Sequence, residues 1–238
     1  HAVCLGVRTA PGCPDVQTLQ QAHVPSDRRI ETAYWDVRAL GRGDRLTAMQ
    51  DGDIVRKKCK RWNTPWQAHG LTFSCYRRQA FLSKDRTRGY LADTISQARE
   101  THDFHVWAYV MMPEHVYLLI WPAKEKYSIS AILQSIKQSI SRRAAAWLRA
   151  NDPAALGLLA TGHRDRPYQF WQDGGGHDRN VRNAKALRDI FSYIHNNPVR
   201  RGLVARPEDW PWGSARDWAG VGTGARPDRQ TIVHDSML

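Results

Sequence analysis

Tyr193 and Asn197 stand four residues apart in a stretch whose apolar residues Leu187, Ile190, Phe191 and Ile194 recur at helical spacing. At ~100° per residue, Tyr193 falls roughly 110° from the centre of that apolar stripe, so its phenol need not enter the core. A phenol presented off the stripe, with a carboxamide one turn later, can act as a nucleophile beside a metal ligand. The plainer reading is a partly exposed tyrosine that packs and hydrogen-bonds without doing chemistry. His115 and Tyr117 form a second pair. Residues i and i+2 of a strand project from one face, so this histidine and this phenol point together, and two such groups can hold one metal ion. A lone strand histidine, however, is more often a satisfied polar residue than a ligand.

A third cluster is electrostatic. Arg56, Lys57, Lys58, Lys60 and Arg61 precede Trp62, Thr64, Pro65 and Trp66, which reads either as a phosphate-contacting arm or as a solvated linker. Lysine and arginine exceed the acids by 35 − 23 = +12 over the 238 residues, an imbalance that a polyanion rewards most. Ten tryptophans fit the same partner, because single strands stack on aromatic rings, although cores are built from them as well.

These groups need elements to carry them. Leu71, Phe73 and Cys75 alternate with polar neighbours as in a half-buried strand. Residues 104–112 and 115–121 are β-rich runs separated by Pro113 and Glu114, which predicts a hairpin. Between the first strand and the hairpin, Asp93 can cap a short helix through Ala98, with Gly89 and Tyr90 before it. Ser128 caps a long helix on Ile129, Ile132, Leu133, Ile136, Ile140, Ala144, Trp147 and Leu148, whose other face carries Lys137, Arg142, Arg143 and Arg149. Residues 171–179 read as a glycine-rich connector. Asn183 can cap a last helix that Pro198 stops near Asn196. The order β, α, β, β, α, loop, α describes an α+β domain at 56–220, between a loosely ordered extension at 1–55 and a tail at 221–238.

Other classes recede. Hydrophobic residues at 42% and charged residues at 24% exclude a wholly disordered or fibrous chain. The longest apolar run, 116–121, is far short of the ~20 residues of a membrane span. Cys4, Cys13, Cys59 and Cys75 contain no CxxC pair, which argues against a zinc ribbon or a disulfide framework and predicts reduced thiols. No signal-peptide core is visible and no P-loop pattern occurs.

Four blocks follow one another: Met112-Pro113-Glu114-His115-Val116-Tyr117-Leu118-Leu119-Ile120; Phe170-Trp171-Gln172 with a glycine triplet and Asp178-Arg179-Asn180; Tyr193-Ile194-His195-Asn196-Asn197-Pro198-Val199-Arg200-Arg201-Gly202-Leu203-Val204; and Asp209-Trp210-Pro211-Trp212-Gly213-Ser214-Ala215. In this order they resemble the REP-associated tyrosine transposases, relatives of the single-tyrosine HUH transposases of insertion sequences.

The resemblance implies a ferredoxin-like antiparallel sheet with packed helices, one of which supplies the tyrosine. It further implies metal-dependent nicking and strand transfer of single-stranded or hairpin DNA through a 5′-phosphotyrosine link. Carried over, Tyr193 is the nucleophile, His115 the first ligand of Mg²⁺ or Mn²⁺, and Asn197 a further ligand. Tyr117 stands where the family has its second histidine, and a neutral phenol that ionises near pH 10 is a poor substitute for imidazole. His177 stands where relatives often have tyrosine and is a candidate replacement ligand. A cytoplasmic, nucleoid-associated protein is expected, with a homodimer as one arrangement. The competing readings are a catalytically impaired hairpin-binding protein of the same fold and an RNA-binding module.

Overall fold

The computed structural model describes residues 61–174 and 176–220. Arg56, Lys57, Lys58 and Lys60, the extension at 1–55 and the tail at 221–238 lie outside the described residues. The chain runs through β1 (Ala68–Ser74), α1 (Asp85–His102), β2 (Phe104–Met111), β3 (His115–Pro122), α2 (Ile129–Asn151), the short α3 (Pro153–Leu156), β4 (His177–Val181), α4 (Ala184–Arg200) and the short α5 (Ala215–Trp218). The strands form one antiparallel sheet in the order β2-β3-β1-β4, the expected ferredoxin-like arrangement.

Each face of the sheet has its own apolar layer. Leu71, Phe73, Val116, Leu118 and Ile120 pack against α1 and α2, through residues such as Ile95, Ile132 and Ile136. Ala68, Tyr117, Leu119 and Trp121 meet Leu187, Ile190, Phe191 and Ile194 of α4. β1 is therefore buried on both faces along most of its length, not half-buried. A shift in the β2 register between Val106 and Ala108 brings Trp107 and Ala108, neighbours in sequence, into the same α4-side layer. Gly70 lies under α4, and a Cβ there would stand 3.3 Å from Ile190 Cδ1.

Two helix starts follow their caps. Ser128 Oγ accepts the Ala131 N–H at 3.2 Å, and Asn183 Oδ1 accepts the Ala186 N–H at 2.8 Å. Three elements depart from the sequence reading. α1 begins at Asp85, so Gly89, Tyr90 and Asp93 are interior, and Asp93 pairs with Arg143 at 2.8 Å instead of capping. Burial of Leu91, Ala92, Ile95 and Ala98 outweighs the ~1 kcal/mol that an interior glycine costs. α4 continues past Pro198 to Arg200, because a proline in the last turn forfeits only one intrahelical bond. The second half of the glycine-rich connector is β4, entered through Gly176. There φ is +72° and a Cβ would lie 2.2 Å from Thr72 O, so only glycine fits.

The Trp-Pro-Trp-Gly-Ser block docks along β2. Met111 N–H donates to Trp212 O at 2.8 Å and Ser214 N–H to Tyr109 O at 3.0 Å. Ser214 Oγ accepts the Tyr109 N–H at 2.9 Å and meets His195 Nε2 at 2.9 Å, tying α4 to the sheet. No helix among the described residues is long and apolar enough to cross a membrane.

Candidate active site on the α4 face

β3 directs His115 and Tyr117 toward α4, as the two-residue period requires. From α4, Tyr193 reaches down beside the buried stripe, and its hydroxyl lies 3.2 Å from that of Tyr117. The two rings meet edge to face at 5.4 Å between centroids, and His115 meets Tyr117 similarly at 4.9 Å. Asn197, one turn beyond Tyr193, is buried near the Tyr117 phenol, and its side-chain amide acts to lower the Tyr117 pKa against the stronger raising effects. Burial, reinforced by the hydrogen bond with Tyr193, pushes the Tyr117 pKa well above the ordinary phenol value, so this group stays protonated at neutral pH. One chain thus brings together the four residues His115, Tyr117, Tyr193 and Asn197.

Three residues not singled out in the sequence complete the site. Glu114 Oε1 accepts from His115 Nδ1 at 3.2 Å and from Arg201 Nη1 at 2.7 Å. The His115 hydrogen bond is the larger cause, with Arg201 adding to it against burial, that holds the Glu114 carboxyl down at about 2. The Arg200 guanidinium lies over the Tyr193 ring at 4.8 Å from its centroid. All three belong to blocks that carry the family resemblance, and the only sequence signal for Glu114 was its place next to His115.

Because a carboxylate only accepts, the Glu114 contact places a proton on His115 Nδ1. In the neutral ring Nε2 is then a bare acceptor. That Nε2 and Asn197 Oδ1 are both buried without a hydrogen-bond partner. Two orphaned lone pairs, one of them on a carboxylate-oriented imidazole, fit a divalent cation. The set is nevertheless short of charge, and among the described residues no cluster of three His, Cys, Asp or Glu side chains could hold a metal. The residues therefore fit a weakly held ion that takes its remaining ligands from substrate or water.

His177 lies on the same face. It sits opposite Thr72, which in turn sits opposite Tyr117, so the histidine is two strands away from the phenol, or about 10 Å. The basic residues of α2 occupy the other layer. Lys137 donates to Gly174 O at 3.3 Å, and burial, with Arg61 nearby, lowers its pKa to about 8. Arg143 is bound to Asp93, and Arg142 is exposed. Lys137 and Arg142 line an open cleft of about 430 Å³ with Arg166, Tyr168 and Trp171. Arg61 pairs with Asp178 at 3.6 Å and donates to Ser130 Oγ at 3.2 Å. The structure thus separates the α2 basic residues from the tyrosine pair by the thickness of the sheet.

The chain is similar to known proteins. A Haemophilus influenzae protein assigned to the REP-associated tyrosine transposases is 26% identical over 138 residues, covering 55% of this chain and 74% of its own. The Escherichia coli REP-associated tyrosine transposase is 28% identical over 141 residues, covering 55% of this chain and 72% of its own. In fold, the chain is similar to a REP-associated tyrosine transposase solved bound to a REP hairpin. The TM-score is 0.55 at 18% identity, over 77% of this chain and 94% of that one. The model of the IS200-like transposase family matches residues 64–197, a span that contains the sheet, the tyrosine helix up to Asn197 and all four site residues, and the chain belongs to that family.

Proposed function

We propose that this protein nicks and rejoins single-stranded DNA beside a hairpin, with Tyr193 as the nucleophile. The observation that carries the reading is the convergence of the Tyr193 and Tyr117 hydroxyls beside His115 and Asn197. The hairpin partner is taken from the relative solved with a REP hairpin, and the +12 net charge supports it.

The Tyr193 oxygen attacks a backbone phosphorus, forming the O–P bond of a 5′-phosphotyrosine and breaking the P–O3′ bond, and the departing 3′-oxygen takes a proton from solvent to leave as a 3′-hydroxyl. Tyr117, held protonated, donates to the Tyr193 oxygen as the phenol proton departs to solvent. Arg200 over the ring favours the developing negative charge. His115 Nε2 and Asn197 Oδ1, with the neutral Tyr117 oxygen as a weak third donor, would hold Mg²⁺ or Mn²⁺. That ion would draw electron density from the scissile phosphate. Because the tyrosyl ester conserves the bond energy, a 3′-hydroxyl can reverse the attack at a new end and rejoin the strand.

The short ligand set favours a second reading, a hairpin-binding protein that has lost cleavage. Trapping decides between them. With Mn²⁺ present, end-labelled hairpin DNA with single-stranded flanks should remain attached to the protein through denaturing electrophoresis. Tight hairpin binding without any adduct would favour the binding protein.

A further inference from the structure

Residues 61–67 pass from the α2 layer to the α4 layer around one end of the sheet, and the loop is fixed along its length. Asn63 Oδ1 accepts the Ile129 N–H at 3.2 Å, and the Tyr127 hydroxyl donates to Thr64 O at 2.6 Å. Asn180 Nδ2 donates to Trp62 O at 2.8 Å and to Gln67 Oε1 at 2.9 Å. Within this loop Trp66 has φ of +60°. A bulky residue enters that left-handed region only when its surroundings hold it there, and such outliers gather where a side chain must be presented in one place.

What the conformation achieves is the position of a ring. Trp66 lies 6.0 Å from Trp121, which stacks on Trp107 at 6.1 Å with an interplanar angle of 11°. Yet Trp66 remains 37% exposed, and Trp62 on the same loop is 57% exposed. Pinning the loop does not require this ring, since its hydrogen bonds to Asn180, Tyr127 and Ile129 already do so. A rigid, half-open indole backed by two others is a surface on which a flat aromatic ligand gains by stacking.

Its place relative to Tyr193 names the ligand. Trp121 is four residues along β3 from Tyr117 on the same face, about 13 Å away. On the order of two to four nucleotides of a single strand span that distance. On the same face of β4, His177 is level with Tyr117, opposite Thr72, and Arg179 is one step nearer the Trp121 end, opposite Gly70 and level with Leu119.

From this geometry we infer that Trp66, assisted by Trp62, stacks an unpaired base of the single strand adjoining the hairpin, a few nucleotides from the phosphate that meets Tyr193. The inference rests on the proposed DNA substrate and adds a second, separate contact site to it.

The test uses the full chain and a fluorescein-labelled DNA hairpin drawn from palindromic repeats beside the gene, made blunt or with about four unpaired nucleotides on either end. Trp66→Ala should weaken binding of one tailed hairpin by about five- to a hundred-fold and leave the blunt hairpin unchanged. Trp66→Phe should retain most of the affinity. An abasic site at one tail position should reproduce the Trp66→Ala loss in the unaltered protein and add nothing to it in the variant. Equal losses on blunt and tailed hairpins, or no loss on either tail while thermal unfolding is unchanged, would overturn the platform. The hairpin reading is judged apart from this, by whether the unaltered protein prefers the blunt hairpin to a scrambled strand.

Discussion

The hydroxyls of Tyr117 and Tyr193 lie 3.2 Å apart, joining the third strand of the sheet to the fourth helix across 76 residues of sequence. In this arrangement one phenol is buried and held protonated by its surroundings, while the other is half-buried beneath Arg200. The two tyrosines are therefore not equivalent, and substitution should separate them.

Tyr193→Phe should abolish the covalent adduct while leaving hairpin affinity within about twofold, since only a hydroxyl is removed. Tyr117→Phe should keep the adduct and slow its formation, because it deletes the neighbouring donor. An adduct that survives in the first variant and vanishes in the second would reverse the assignment.

Tyr117→His restores a nitrogen donor beside His115 Nε2 and should tighten Mn²⁺ binding and speed cleavage. Calorimetric titration of both forms checks this. Equal affinities would mean that the ion, if bound, is held elsewhere.

Glu114 ties stability to acid. Its carboxyl is held down at about 2 against an ordinary 4.5, so the stabilisation is full above the unfolded value and is lost as pH falls through the folded one. Relative to Glu114→Gln, the unaltered protein should gain up to about 3 kcal/mol at pH 7. That advantage should shrink between about pH 4.5 and 2. Urea unfolding at a series of pH values measures it, and a pH-independent difference would mean that His115 and Arg201 do not hold the carboxyl down.

Ser214→Ala should destabilise the fold by about 1–3 kcal/mol, because it strips the buried Tyr109 N–H and His195 Nε2 of their shared partner. Thermal unfolding reports the loss, and a neutral result would mean that water replaces the hydroxyl.

Replacing Lys57, Lys58 and Lys60 with glutamine should lower affinity for every DNA sequence alike. It should also flatten the dependence of log affinity on log salt by about 0.7 to 0.9 for each phosphate that is no longer neutralised. An unchanged slope would make the run a solvated linker.

What could be read in the sequence was what local chemistry decides. Ser128 and Asn183 announce their helices because a side-chain oxygen satisfies the first free N–H groups, and Pro113-Glu114 marks the hairpin because a turn must intervene. The offset of Tyr193 from the α4 stripe and the shared face of His115 and Tyr117 follow from periodicity alone. β4 was not legible, since His177, Asp178, Arg179, Asn180 and Val181 have no apolar alternation and become a strand only by pairing with β1. Nor was the link from Arg201 to Glu114, which spans 87 residues and exists only once α4 is docked. Asp93 misled because an acidic residue can cap a helix or, as in α1, meet an arginine from another one.

Gly70 gives the site a constraint on how its sequence can change. Ile190 rests where a Cβ at position 70 would come within 3.3 Å, and Tyr193 is three residues along the same rigid helix. Positions 70 and 190 therefore act as a single variable that sets the height of the tyrosine above the sheet. An alanine at 70 would require the Ile190 Cδ1 methyl to give way by a few tenths of an ångström, so a smaller residue at 190 should make that exchange easier and the two sites should tend to vary together.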